Sequence, residues 1–390
     1  MCKVTLEQVI MSLEIPKSGQ SDQLVYIDNI KTILTILVIL HHTVIAYGGP
    51  GGWYWVQKTS SFGALIPMTM FVSINQSFFM GFFFLLAAYF TGSSYSKKGA
   101  FHFIMDRLIR LGIPLLFYSF VLSPLLSYLV YYFAKGQHIT IFQYLLGYDS
   151  WIDFGVMWFV AALLLFSLIY VFLQSIFKID FKKSVPVPGA FQIVAFAVAL
   201  GIISFVVRIA FPVGWVLEPV GFQLGHFTQY IALFSVGIIA ARNNWFAQLS
   251  DLTQKRLLKS IVLSLLFFPV FFLIRAKVNM PISWYSGGFH WQSLLYAIWE
   301  QWIGISILTV FLVKGRTKWN TRSAVLRKLA RLNFVVYIFH PLVIVGLTLA
   351  IRNWEVDPAL KLLLVAPIVL GASYGLGGLI LRIPGVKKVL

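Results

Sequence analysis

His42 is the residue of this chain best suited to general-base chemistry. It closes the run "YIDNIKTILTILVILHH" from Tyr26 to His42. An imidazole takes up and returns protons near neutral pH. A histidine inside an apolar run is costly enough to default to a functional hypothesis. If the run is a helix, Lys31 lies within about 20° of the meridian of His42 and about 16 Å below it. His41 departs from the meridian of Lys31 by roughly 80°. Asp28 sits within about 40° of the same meridian but about 21 Å below His42, out of reach through that helix. A cation at one membrane surface therefore stands under an imidazole deep in the apolar run. A packing histidine hydrogen-bonded inside a helix bundle fits the same pattern.

Arg107 and Arg110 are three residues apart, which places them on one helix face. Two guanidinium forks side by side suit a phosphate or pyrophosphate, and they equally suit ordinary surface anchors. Glu300 lies in Trp299-Glu300-Gln301-Trp302, inside another apolar stretch. A carboxylate there needs a partner. It could orient a histidine, pair with Arg208 or Arg275, or bind an acceptor hydroxyl. His340 precedes a proline in Tyr337-Ile338-Phe339-His340-Pro341, where packing or kink support is the alternative to a site role. His226, His290, Trp53, Trp55, Trp284 and Trp291 fall toward the far surface, the tryptophans as interfacial anchors or as sugar-stacking platforms.

The elements that must position these residues follow from composition. The chain has 390 residues, of which 59% are hydrophobic, 17% aromatic and 11% charged, with a mean hydropathy of +0.84. Soluble domains carry roughly 25% charged residues. A soluble enzyme, a disordered chain and a disulfide scaffold are excluded, leaving an all-α, polytopic membrane bundle. Ten apolar segments are expected, at approximately 30–47, 64–92, 108–133, 156–177, 191–211, 227–241, 258–275, 293–313, 332–350 and 360–381. With the N-terminus inside, the outer segments hold Lys58, Lys135, Arg208, Arg275, Lys277, Arg352 and Lys361, and the rest of the 31 Lys and Arg fall inside. That asymmetry predicts both termini in the cytoplasm. It also accounts for the net charge of +18 without a nucleic-acid partner. The run from Lys314 to Arg331 is expected to be a cytoplasmic loop facing anionic lipid. Cys2 is the single cysteine, so neither an internal disulfide nor a cysteine metal site is expected. Residues 1–23 read as a polar cytoplasmic segment without a cleavable signal, and 24–390 as one ten-helix domain.

Four motifs in order resemble the membrane acyltransferase 3 family. Asp28, Lys31 and His42 match its first-helix spacing of Asp, a basic residue, ten residues and His. Arg107-Leu108-Ile109-Arg110-Leu111-Gly112-Ile113-Pro114 matches its Arg-x-x-Arg mark, Trp158-Phe159 its Trp-Phe pair, and Tyr337 to Pro341 its Tyr-x-x-His-Pro pattern. The stretches "YIDNIKTILTILVILHHTVIAYGG" and "FFMGFFFLLAAYF" look most like the glucan biosynthesis protein C subgroup. The chain departs from the family at Gly81, where relatives carry Asp, at Ala87-Ala88, where they carry Ser-Gly, and in the last helix, which lacks their Glu.

The resemblance implies O-acyl transfer, of acetyl or succinyl, from cytoplasmic acyl-CoA to a hydroxyl of a cell-envelope carbohydrate or similar acceptor. Acyl-CoA would be a co-substrate, with no resident cofactor or metal. His42 would be the general base. Lys31, Arg107 and Arg110 would contact the donor phosphates, and Glu300 would orient or bind the acceptor. Asp28, Trp158, Tyr337 and His340 would line the site. The implied location is the plasma or inner cell membrane. The alternative is a proton-coupled secondary transporter or exporter using His42 and Glu300 as a relay; the lack of a visible internal repeat counts against it.

Overall fold

The computed structural model describes residues 25–177 and 184–389. The expected N-terminal segment 1–23 with Cys2, and the inner-loop residues Lys178, Lys182 and Lys183, lie outside the described residues. Among the described residues every regular element is helical, and one isolated bridge, Leu217 to Phe222, is the only extended pairing. We number the principal helices α1 (Val25–Ala46), α2 (Phe62–Gln76), α3 (Phe79–Arg107), α4 (Ser123–Phe133), α5 (Trp158–Phe177), α6 (Ala190–Ala210), α7 (Leu224–Arg242), α8 (Asp251–Leu265), α9 (Phe267–Val278), α10 (Trp291–Lys318), α11 (Ala324–Ala350) and α12 (Pro358–Ile380).

Eight helical stretches among the described residues are long and apolar enough to cross a membrane. Ten segments were expected, and two local features account for the difference. Phe62–Phe133 is one near-continuous helical stretch of 72 residues that holds two of the expected segments. A straight helix of that length would measure about 108 Å, against a hydrocarbon core of about 30 Å. The chain bends at Gly99, whose φ of 73° and ψ of 167° are open to glycine. Across that bend the rings of Tyr95 and Phe103 meet at 6.0 Å and Lys98 pairs with Asp106 at 3.0 Å. Residues eight apart on a straight helix would be about 12 Å apart along the axis. The second feature is the expected segment 258–275. It breaks at Leu266 into α8 and α9, of 15 and 12 residues, each too short to cross alone. Helix α8 carries Lys255, Arg256 and Lys259.

Two π-helical turns, Leu108–Gly112 and Tyr118–Leu122, follow the bend. In each case a proline, Pro114 or Pro124, stands two positions after the turn ends. A proline ring clashes with the carbonyl four residues earlier and gives it no N–H, and a widened turn accommodates both effects.

Helix α1 sits at the centre of the site. Its buried residues Ile27, Ile30, Leu34, Val38, His41 and Ile45 recur at three or four positions, as one helical face requires. A second face, through Ile39 and Ala46, packs on Val336 and Ile344 of α11 and on Val365 and Val369 of α12. His42 belongs to this second face and His41 to the first, so the adjacent histidines part company. The breaker cluster after α1 turns the chain back over the helix end. Gly48 takes φ +109°, and a Cβ there would come within 2.9 Å of the Thr59 backbone. The returning loop is tied to α12 and its entry. The Gln57 amide donates to the Arg352 carbonyl at 3.2 Å, Thr59 Oγ1 donates to Asp357 at 3.0 Å, and Lys361 Nζ donates to Gln57 Oε1 at 3.2 Å.

Candidate active site

That strapped loop delivers Trp53, whose indole stacks on His42 at 4.5 Å with 20° between the planes. On the other side of His42 lies His340, with ring centroids 5.0 Å apart. His42 Nδ1 and His340 Nε2 are 2.8 Å apart, and His340 Nδ1 is 2.8 Å from the Tyr337 carbonyl. These two bonds fix the protons. A carbonyl only accepts, so His340 carries its proton on Nδ1 and offers Nε2 as an acceptor. His42 must then donate through Nδ1, which leaves its Nε2 as the free basic lone pair. Among the described residues the hydrogen bond of the His42 ring runs through Nδ1.

The Tyr-x-x-His-Pro pattern supplies the anchor. In a regular helix the N–H of residue 341 would serve the carbonyl of residue 337. Pro341 has none, so the Tyr337 carbonyl is left for the imidazole of His340. His340 is fully buried. The Tyr337 hydroxyl donates to the Val156 carbonyl, holding α11 against the turn that opens α5.

Trp158 and Phe159 face two ways. Phe159 meets Tyr337 at 6.2 Å, and Trp158 stacks on Tyr230 of α7 at 5.5 Å. Tyr230 in turn lies 6.4 Å from His226, where a second buried polar cluster begins. There Glu300 pairs with Arg208 and stands 3.3 Å from His226 Nδ1. Arg208 is 0% and Glu300 1% exposed. The Arg208 Nε donates to the Gly225 carbonyl at 3.0 Å. Among the partners open to it, Glu300 therefore has both Arg208 and a histidine, His226, while His42 is hydrogen-bonded to His340. Arg208 is a bundle residue and not an outer-loop charge, and Lys361 at 3% exposure is buried as well.

Next to this cluster, Gln229 Nε2 donates to the Ser77 carbonyl and to Gln301 Oε1, both at 2.8 Å. A Cβ on Gly81 would come within 2.5 Å of Gln229 Oε1. The glutamine fills the space that an acidic side chain on residue 81 would need.

At the other end of α1, Lys31 lies over the Phe90 ring at 5.2 Å and contacts Asp28 at 3.4 Å. The side chain of Asp28 is 63% exposed and touches no part of the histidine pair. Arg107 is half-buried over Phe103 at 4.9 Å, with a buried Nε that makes no hydrogen bond. Arg110 is exposed and bonded to Asp106 at 3.1 Å. The π-helical turn widens the angle between the two arginines beyond the α-helical value, and Arg110 is turned to Asp106.

The structure thus brings His42, His340 and Tyr337 together, places Trp158 one ring away, and sets Glu300 in a neighbouring cluster. Sequence reasoning missed Trp53 as a ring stacked on His42. Its position after a glycine-rich reversal was the available signal. No group of three or more metal-ligating side chains capable of holding an ion occurs among the described residues. A family model described as an acyltransferase domain, that of acyltransferase 3, matches residues 24–381. No curated protein and no solved structure matches the chain.

Proposed function

Because the chain is a multi-pass membrane protein that belongs to the acyltransferase 3 family, we propose that it moves an acyl group, acetyl or succinyl, from acyl-CoA to a hydroxyl of a cell-envelope carbohydrate. One observation carries the reading: a backbone carbonyl and a neutral histidine leave the free lone pair of His42 on Nε2. In the proposed step Nε2 takes the acceptor hydroxyl proton as the oxygen attacks the thioester carbonyl. The carbon–sulfur bond breaks, and the departing sulfur takes the proton back from His42. While His42 is an imidazolium, its Nδ1–H bond to His340 strengthens, the role a carboxylate plays in better-known triads.

The donor end of the site lies near Lys31. From there to His42 the helix rises about 16 Å, a span suited to the extended pantetheine arm of the donor. Arg107, half-buried with an unused Nε, is the strongest phosphate contact in this scheme. Lys31 and the exposed Arg110 add charge. Trp158, Tyr337 and His340 shape the site. Glu300 acts at a distance by holding α6, α7 and α10 together.

In the same reading the chain crosses the cell membrane ten times with both ends in the cytoplasm, the bend at Gly99 and the α8–α9 pair supplying the additional passes. The burial of Arg208 and Lys361 supports this orientation, because it removes two charges from the outer side of the count. The test is mass spectrometry of envelope glycans from cells with and without the protein. A difference of one acyl group on a glycan is expected, and unchanged glycan masses would overturn the assignment.

A further inference from the structure

A cleft of about 1100 Å³ opens beside the candidate site, between the end of α4, the connection from residue 134 to 157, and the turn at Glu218 and Pro219. One wall is a continuous row of rings. Tyr131 meets Tyr144 at 5.1 Å, Tyr144 meets Tyr148 at 5.7 Å, and Tyr148 meets Trp151 at 5.2 Å. All four are only partly buried, and Trp151 also stacks on Phe120 at 6.3 Å.

Asp149 and Glu218, both exposed, stand at the rim, with Lys135 as the one lysine or arginine of the lining. Asp153 also lines the cleft, but its oxygens are occupied by Ser123 Oγ at 2.5 Å and the Gly155 N–H at 2.9 Å. Tyr54 reaches the cleft from the strapped loop and bonds Tyr118 at 2.6 Å between hydroxyls. Burial, then the nearby Asp153, push the Tyr54 phenol above its ordinary range, so it stays protonated. Tyr54 packs edge-on against Trp53 at 5.4 Å, the same indole that stacks on His42.

Aromatic faces next to exposed carboxylates match a ring that is apolar on its flat faces and rich in hydroxyl donors at its edge. Three carboxylates against one lysine repel an anion. We propose that this cleft is an acceptor subsite for an uncharged saccharide and that its carboxylates select against acidic ones. The link to His42 rests on the acyl-transfer reading; the binding does not.

The experiment uses the full-length protein in nanodiscs without any donor. Tryptophan fluorescence titrations compare a neutral glucan oligosaccharide with a carboxylated oligosaccharide of equal length. The wild type is expected to bind the neutral probe at least about tenfold more tightly, the equivalent of about 1.4 kcal/mol. Tyr148→Ala should weaken the neutral probe by a similar factor, and Asp149→Asn combined with Glu218→Gln should narrow the gap between the probes. Acyl-CoA binding by each variant, measured in parallel, should match wild type and reports correct folding. No binding of the neutral probe by the wild type, equal affinity for both probes, or indifference of a folded Tyr148→Ala variant would each overturn the proposal. Loss of acyl transfer with saccharide binding intact would count against the acyltransferase chemistry alone.

Discussion

The proton positions at His42 are set by a carbonyl that a proline has released, and this gives substitutions here distinct signatures. Replacing Pro341 with Ala would return an N–H to Tyr337 and compete with His340 for its carbonyl. The variant should keep its thermal stability, since Ala suits a helix interior better than Pro. Its turnover should fall about tenfold, the effect of one hydrogen bond of about 1.4 kcal/mol. A melting curve and steady-state rates on the same preparation check both halves. At the donor end, Arg107→Ala should raise the KM for acyl-CoA by about tenfold, as expected for a charge-assisted contact, and Arg110→Ala much less, because Asp106 already occupies it. Equal effects would mean that burial does not rank the two. The spacing of Lys31 and His42 was legible in the sequence because helical periodicity is local. The bond from His42 to His340 was not, since it joins residues 298 positions apart and no local pattern encodes it. For the same reason the sequence left Trp53 as an interfacial anchor or a sugar-stacking platform.

Among the elements, the Arg208–Glu300 pair ties α6 to α10, with His226 of α7 beside it. Removing one partner of a buried ion pair leaves the other uncompensated, typically at a cost of about 3–5 kcal/mol. Glu300→Ala should therefore lower the melting temperature sharply, whereas the fraction that remains folded should retain most of its turnover. A base-orienting carboxylate would show the reverse, full stability with lost turnover. Gly155→Ala should also be disruptive. Its φ is +41°, and a Cβ would come within 2.6 Å of the Tyr54 hydroxyl. Helix positions were legible from apolar run length. What hid the true divisions was backbone behaviour: a bend through Gly99 that composition does not mark, and a break at Leu266 inside an apolar run. The π-turns were equally hidden, although each precedes a proline. The first of them opens the angle of the Arg-x-x-Arg spacing beyond its α-helical value.

On the scale of the whole molecule, the bundle separates a cationic end, with Lys31 and Arg107, from an aromatic and acidic end, with Trp53 and the cleft of Tyr148 and Asp149. Composition made the membrane class legible, because 11% charged residues cannot cover a water-facing surface of this size. Orientation follows only from the loop charges. With Cys2 replaced by Ser, a cysteine at Lys328 should react with an impermeant maleimide from the cytoplasmic face, and one at Ser150 from the opposite face. Labelling of both from one side would remove the two-ended arrangement. The central claim is that the Nε2 of His42 takes the acceptor proton. It is tested most directly by single-turnover transfer from labelled acyl-CoA in nanodiscs, comparing wild type with His42→Ala. The variant should bind acyl-CoA as the wild type does and transfer at least about 10²-fold more slowly, within the range for a lost general base. Transfer at the wild-type rate by a folded, donor-binding His42→Ala protein would contradict it.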